Sequence, residues 1–187
     1  MKRLLVMLCV SACATTSGSA TKPSEKTPDA AVFYPLGLGT AWSYEVKLLG
    51  ETRQVDVKML KKNDDGYVED SMGAKLLADT YGVRDEKRYL LRNPIAAGNK
   101  WTNVVSVSSV ETYEILAVNQ PCEAPGGSWE GCVVVESRNR VKEGTTLVNE
   151  VTFAPGVGIV RLSTVLEAGD RQIPQSTLSL LKFTPAN

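Results

Sequence analysis

The sequence predicts an all-β chain: one antiparallel meander curled into a strongly curved sheet, either a half-barrel or a barrel. Three observations predict it. From Phe33 onward, short segments rich in Val, Leu, Tyr and Thr alternate apolar with polar residues, the two-residue period of a half-buried strand. Gly, Pro, Asn and Asp interrupt these segments at close spacing, which suits hairpins and leaves little length for crossovers. No stretch of the folded part carries a helical period. Closing such a sheet removes its exposed edges and can enclose an apolar cavity. A two-sheet sandwich is the alternative arrangement of the same strands.

The elements follow in order. Trp42, Tyr44, Val46 and Leu48 alternate with Ser43, Glu45 and Lys47, and Val55, Val57 and Met59 alternate with Asp56 and Lys58. Asn63-Asp64-Asp65-Gly66 then breaks the pattern as a tight turn. Further strands are expected over 67–70, 75–83, 87–92, 101–107, 111–118, 132–141, 145–153, 158–166 and 172–183, making about ten or eleven in all. Two stretches resemble one another: Tyr34-Pro35-Leu36-Gly37-Leu38-Gly39-Thr40-Ala41-Trp42 and Asn93-Pro94-Ile95-Ala96-Ala97-Gly98-Asn99-Lys100-Trp101. Each places Trp three residues after a Gly, which reads as a corner that starts a strand and plugs the core with an indole. The competing reading is a duplicated ligand site with Trp as a stacking platform.

The first residues have a different character. Lys2 and Arg3 precede a seven-residue apolar run, Leu4 to Val10, and then come the small residues Ser11 and Ala12. That order is a secretory signal, too short to span a bilayer permanently. Val10-Ser11-Ala12-Cys13 looks like a bacterial lipobox, which implies cleavage between Ala12 and Cys13, diacylglycerol on the Cys13 sulfur and an N-acyl chain such as palmitate. Physically, one acyl chain binds membranes only marginally, whereas two or more hold firmly. Ala14, in place of Asp after the modified Cys, implies export to the outer membrane of a Gram-negative bacterium. Residues 13–31 are rich in Thr, Ser, Ala, Pro and Lys without apolar periodicity, and read as the lipidated Cys and a flexible tether. A coil of that length spans about 20–25 Å. The expected organisation is therefore a signal peptide over 1–12, the tether over 13–31 and one all-β domain over 32–187.

Composition narrows the chemistry. The 187 residues include 21 basic and 21 acidic side chains, and removal of Lys2 and Arg3 leaves 19 against 21. A slightly negative mature chain gives no electrostatic reason to expect nucleic acid as a partner. Histidine is absent. That removes the usual general base near neutral pH, Ser-His and Cys-His nucleophiles, and the usual catalytic zinc ligands. No metal site and no cofactor are expected beyond the covalent lipid on Cys13. Asn63-Asp64-Asp65-Gly66 lacks the spacing of a calcium loop, and neighbouring acids such as Glu111 and Glu114 or Asp85 and Glu86 lack the geometry of a glycosidase pair. No catalytic residue is assigned. Cys122 and Cys132 are the two thiols left in the folded part, and an exported chain would join them as a disulfide closing an 11-residue loop. Trp42, Tyr44, Trp101 and Trp129 are the aromatics expected to fill the core or line a pocket.

Three marks carry a family resemblance: Pro35-Leu36-Gly37-Leu38-Gly39-Thr40-Ala41-Trp42-Ser43-Tyr44, Ala124-Pro125-Gly126-Gly127-Ser128-Trp129-Glu130-Gly131-Cys132, and Ala154-Pro155-Gly156-Val157-Gly158-Ile159-Val160. Their order and spacing resemble a family of secreted and lipid-anchored bacterial proteins with no assigned activity. Its patterns are Pro-Leu-x-x-Gly-x-x-Trp-x-Tyr, Pro-Ala-Gly-Thr-Phe-x-x-Cys and Ala-Pro-Gly-Val-Gly-hydrophobic-Val, the second departing here at Gly127-Ser128-Trp129. The resemblance implies an all-β fold in the envelope and supplies no catalytic residues. The function expected from the whole reading is a membrane-anchored, non-enzymatic envelope module that binds a protein partner or serves a structural role. A carrier for an apolar ligand is the first alternative, and a hydrolase using carboxylates alone the second.

Overall fold

A computed structural model describes residues 27–186. The leader, Ala12, Cys13 and Ala14 lie outside the described residues. Twelve strands form one antiparallel sheet: β1 (Ala41–Leu48), β2 (Glu51–Lys62), β3 (Val68–Asp70), β4 (Lys75–Asp79), β5 (Gly82–Arg84), β6 (Tyr89–Arg92), β7 (Lys100–Ser106), β8 (Ser109–Ala124), β9 (Gly127–Lys142), β10 (Thr145–Ala154), β11 (Gly158–Ala168) and β12 (Arg171–Thr184). Their order is β6-β5-β4-β3-β2-β1-β12-β11-β10-β9-β8-β7, so every neighbour is a hairpin partner except β1 and β12, which join the two halves. The sheet curls into a nearly closed barrel, as the alternation predicts, and not into a sandwich.

Side chains that the period-2 pattern points inward fill the interior. Trp42, Phe153, Met59, Leu91, Ile115 and Leu180 are fully buried, which is the expected outcome of closing a sheet on its apolar face. Toward the end bounded by the β9–β10 and β11–β12 turns, the interior becomes polar. Asn149 donates to the Ser137 hydroxyl at 3.1 Å and accepts from Thr164 at 2.9 Å, linking β9, β10 and β11.

β6 and β7 are the two ends of the sheet and no backbone ladder joins them. Side chains close the seam instead. The Asn103 carboxamide, 6% exposed, accepts from Tyr89 N at 3.0 Å and donates to Tyr89 O at 3.2 Å. A primary amide carries the same donor and acceptor as a peptide unit, so Asn103 takes the place of the missing strand neighbour. Trp101 Nε1 donates to the same carbonyl at 2.9 Å. Next to it, Arg88 reaches Glu111 of β8 through Nε at 2.8 Å and a terminal guanidinium nitrogen at 3.1 Å, a two-pronged pair of fixed geometry.

Three expectations shift. The stretch 75–83 is two strands, because Asp79 Oδ1 accepts from Tyr81 N at 2.8 Å and Gly82 N at 3.0 Å and turns the chain at Thr80-Tyr81. β8 and β9 are each 16 residues long and run through Pro121 and Gly131. Those turn-forming residues accompany register shifts between Ile115 and Cys122 that bend the hairpin without ending it. The last residues of the stretch expected as tether belong to the fold: Asp29 caps a 3₁₀ turn over Ala30–Phe33, and Ala30 and Phe33 are buried. Four residues carry too little periodicity to be read from sequence.

Two outcomes follow from this closure. Replacing Asn103 by Ala takes away the Tyr89 N–H acceptor and leaves the Tyr89 C=O with Trp101 alone, and urea unfolding should show a loss of about 2 kcal/mol, with faster hydrogen exchange at the Tyr89 amide. Burial holds the protons on Tyr34, Tyr44 and Tyr113 to higher pH than an ordinary tyrosine; the Asp70 charge adds to this for Tyr34, the Tyr34 phenol for Tyr44, and the Glu111 charge for Tyr113. The folded chain then binds more protons than the unfolded one above about pH 10, so stability is full below that pH and falls as pH rises through it. Thermal melts at stepped alkaline pH should record a falling midpoint, and Tyr34→Phe should flatten the slope.

Candidate functional site

The two similar stretches are one structural device used twice. In the first, Thr40 N donates to Gly37 O at 3.1 Å, Gly39 N to Met59 O at 2.9 Å, and Met59 N back to Thr40 O at 2.9 Å. In the second, Asn99 N donates to Ala96 O at 3.1 Å, Gly98 N to Ile115 O at 2.8 Å, and Ile115 N back to Asn99 O at 2.9 Å. Gly39 and Gly98 sit at φ of 91° and 83°, where a side chain would be strained. Each corner then launches a strand whose indole enters the core: Trp42 donates to Val157 O at 2.5 Å, and Trp101 to Tyr89 O. This geometry supports the corner reading of both stretches.

Trp42, Tyr44 and Trp101 are buried, while Trp129 is half-buried against the core from the β8–β9 hairpin. Tyr44 donates to Ile159 O at 3.2 Å. The first and third family-like marks therefore meet in space, since the β10–β11 turn presents the carbonyl that Trp42 holds. Gly158, at φ 106°, passes close enough that a Cβ would lie 3.2 Å from the Trp42 indole nitrogen.

Cys122 and Cys132 are joined by a disulfide with Cα atoms 6.1 Å apart. The segment they close is not a loop but the outer arm of the β8–β9 hairpin. The arm bends where Asn119 and Gly131 take positive φ, and its tip packs on β12 through Gly126 N to Leu180 O at 2.8 Å. Arg161 secures the same arm by donating to Glu123 O at 2.9 Å. The disulfide staples a flap that packs on β11 and β12.

Where this flap bends away from the N-terminal segment, a half-open apolar cleft of about 420 Å³ remains. Its apolar lining is Pro28, Val32, Phe33, Ile95, Val118, Val133 and Pro155. Thr27, Pro28 and Val32 also border an adjoining depression beside Asn93 and Pro94, so the N-terminal segment has a groove on each flank. Backbone contacts position the segment: Ala30 N donates to Asn93 Oδ1 at 2.9 Å, and Gly156 N to Val32 O at 2.7 Å. None of the four aromatics singled out from the sequence borders the cleft. Four of its ten lining residues went unread because Thr27 and Pro28 lie in the expected tether and Asn119 and Gly131 in the bend, where turn-forming residues looked like the end of a strand.

Asp70, Glu111 and Glu114 serve the fold. Asp70 Oδ1 accepts from Met72 N and Ala74 N at 2.8 and 2.9 Å, building the β3–β4 turn. Glu111 accepts the Arg88 fork and the Tyr113 hydroxyl at 2.9 Å. Glu114, on the opposite face of β8, pairs with Lys100 at 3.0 Å. Among the described residues, no group of three or more Cys, Asp or Glu side chains is placed to hold a metal ion.

No protein-family model and no curated protein matches the chain, so the motif resemblance gains no support from that side. Two solved structures are similar to it in backbone course. One is a candidate lipoprotein of Parabacteroides distasonis, 14% identical, covering 84% of this chain and 100% of that one with a TM-score of 0.45. The other is a candidate exported protein with a YmcC-like fold from Bacteroides fragilis, 12% identical, covering 82% of this chain and 99% of that one with a TM-score of 0.47.

The stapled flap gives a direct expectation. Replacing Cys122 and Cys132 together by Ser should lower stability by about 3 kcal/mol in urea unfolding under oxidising conditions, on the chain-entropy account. The twelve-strand circular dichroism spectrum should persist, and new proteolytic cuts should concentrate between residues 119 and 131.

Proposed function

We propose that this chain is a lipid-anchored lipoprotein of the bacterial cell envelope, exported to the outer membrane, whose barrel acts as a non-enzymatic binding or structural module. The observation that carries this reading is Val10-Ser11-Ala12-Cys13, set behind a charged pair and a seven-residue apolar run. A disulfide in the folded part suits an oxidising compartment. The absence of histidine, and carboxylates already occupied by turns and ion pairs, favour binding over catalysis. The lipid on Cys13 supplies the membrane partner, and a protein of the envelope is the partner proposed for the barrel.

One observation favours a carrier of an apolar ligand as the second reading: the cleft bordered by Val32, Phe33, Val118 and Val133. Its volume falls within the range of small-molecule sites. The interior proper argues the other way, because large side chains fill it.

Intact-mass measurement of the protein extracted from its host membranes tests the anchor. The expected chain begins at Cys13 and carries the added mass of a diacylglycerol and an acyl group. An unmodified Cys13, or a retained stretch 1–12, would overturn the reading. Native mass spectrometry of the same preparation separates the two roles: a co-purifying protein supports the binding module, and a retained lipid supports the carrier.

A further inference from the structure

Beside the seam, β5, β6 and β7 enclose a depression of about 370 Å³. Its charged lining residues are Arg84, Lys87, Arg88 and Arg92, with no carboxylate among them. Arg88 is neutralised by Glu111 and by Asp85 at 3.6 Å. The others are not balanced in that way. The guanidinium carbons of Arg84 and Arg92 lie 5.4 and 5.7 Å from the centroid of the Tyr89 ring, whose quadrupole attracts a cation without cancelling its charge. Asp79, which accepts the Tyr89 hydroxyl at 2.9 Å, directs a single negative charge toward Arg84. Lys87 and Arg92 have no ion pair among the described residues.

This concentration of charge is local, because the chain as a whole has 21 basic and 21 acidic residues. Arg84, Lys87 and Arg92 make none of the contacts that close the barrel, which fall to Asn103, Trp101 and the Arg88–Glu111 pair. Cations lining a concave site with no carboxylate in its lining make it attractive to an anion. We propose that the depression is a binding site for a phosphoryl group. Guanidinium forks match the oxygens of a tetrahedral oxyanion, and an ammonium adds a compact point charge. The Thr102 hydroxyl offers a further donor. The space exceeds that of a bare phosphate, and the ring of Tyr81, 62% exposed at its border, provides a face for the sugar or glycerol that bears the group. A sugar phosphate and the headgroup of an anionic phospholipid share this chemistry. The inference goes beyond the anchor reading and does not rest on it, since a chain without acyl groups keeps the depression intact.

Calorimetric titration of the full chain, held in nonionic detergent micelles, tests the site with three probes: inorganic pyrophosphate, glucose 1-phosphate, and phosphatidylglycerol doped into the micelles. The expected result is saturable binding that the double variant Lys87→Gln, Arg92→Gln weakens about ten-fold or more, as loss of two charge-assisted contacts implies. Binding of either soluble probe assigns the site to free phosphates, and binding of the doped micelles alone assigns it to a headgroup. If circular dichroism shows the double variant unfolded, Lys87→Gln by itself, in the exposed β5–β6 turn, should still weaken binding about three-fold. Absence of saturable binding to all three probes, or affinity unchanged in the folded variants, overturns the proposal.

Discussion

A sheet of twelve strands keeps a dry interior only if its two ends meet, and here they meet without a ladder. One carboxamide does the work of a strand at that point: Asn103 presents its donor and its acceptor to the backbone of Tyr89. The indole of Trp101 and the fork between Arg88 and Glu111 hold the same join from either side. An open edge at β6 or β7 would expose unpaired peptide groups to other chains. The side chains that close the barrel therefore also keep it from pairing with its neighbours.

The rest of the architecture is organised toward this closure. Each repeated corner begins a strand that starts a hairpin, β1–β2 in one case and β7–β8 in the other, and each sends a tryptophan to a distant carbonyl. Trp42 ties β1 to the β10–β11 turn across 115 residues of sequence, while Trp101 ties β7 to β6. The two indoles serve the two joins that local hairpins cannot make: one near β1 and β12, where the halves of the sheet meet, and one at the seam.

Alternation made most of the strands legible, because a closed sheet with a filled interior imposes a period of two on every long strand. β1 is the clearest case, with Trp42 and Tyr44 buried between half-exposed neighbours. What the sequence hid has physical reasons. Asn119, Pro121 and Gly131 have the chemistry of turns yet serve as bends within continuous strands, so the flap looked like a loop and the cleft at its bend was missed. Ala30 and Phe33 are core residues in a segment too short to show any period. Asn103 is one polar side chain on a strand, and nothing local distinguishes an asparagine facing water from one that replaces a peptide group. The basic depression is assembled from three strands and the turns between them, and becomes visible only after the sheet has curled.

The segment 30–33 that precedes β1 is held at two places, by Asn93 beside the seam and by Gly156 at the β10–β11 turn. A pull on this segment thus reaches both halves of the barrel at once. Tension is shared between attachment points far apart in the sheet and is not delivered to one strand that could unzip bond by bond. Resistance to forced unfolding depends on the height of the opening barrier, and loading two anchorages in parallel raises that barrier. The clamp that orients the domain is also its strain relief.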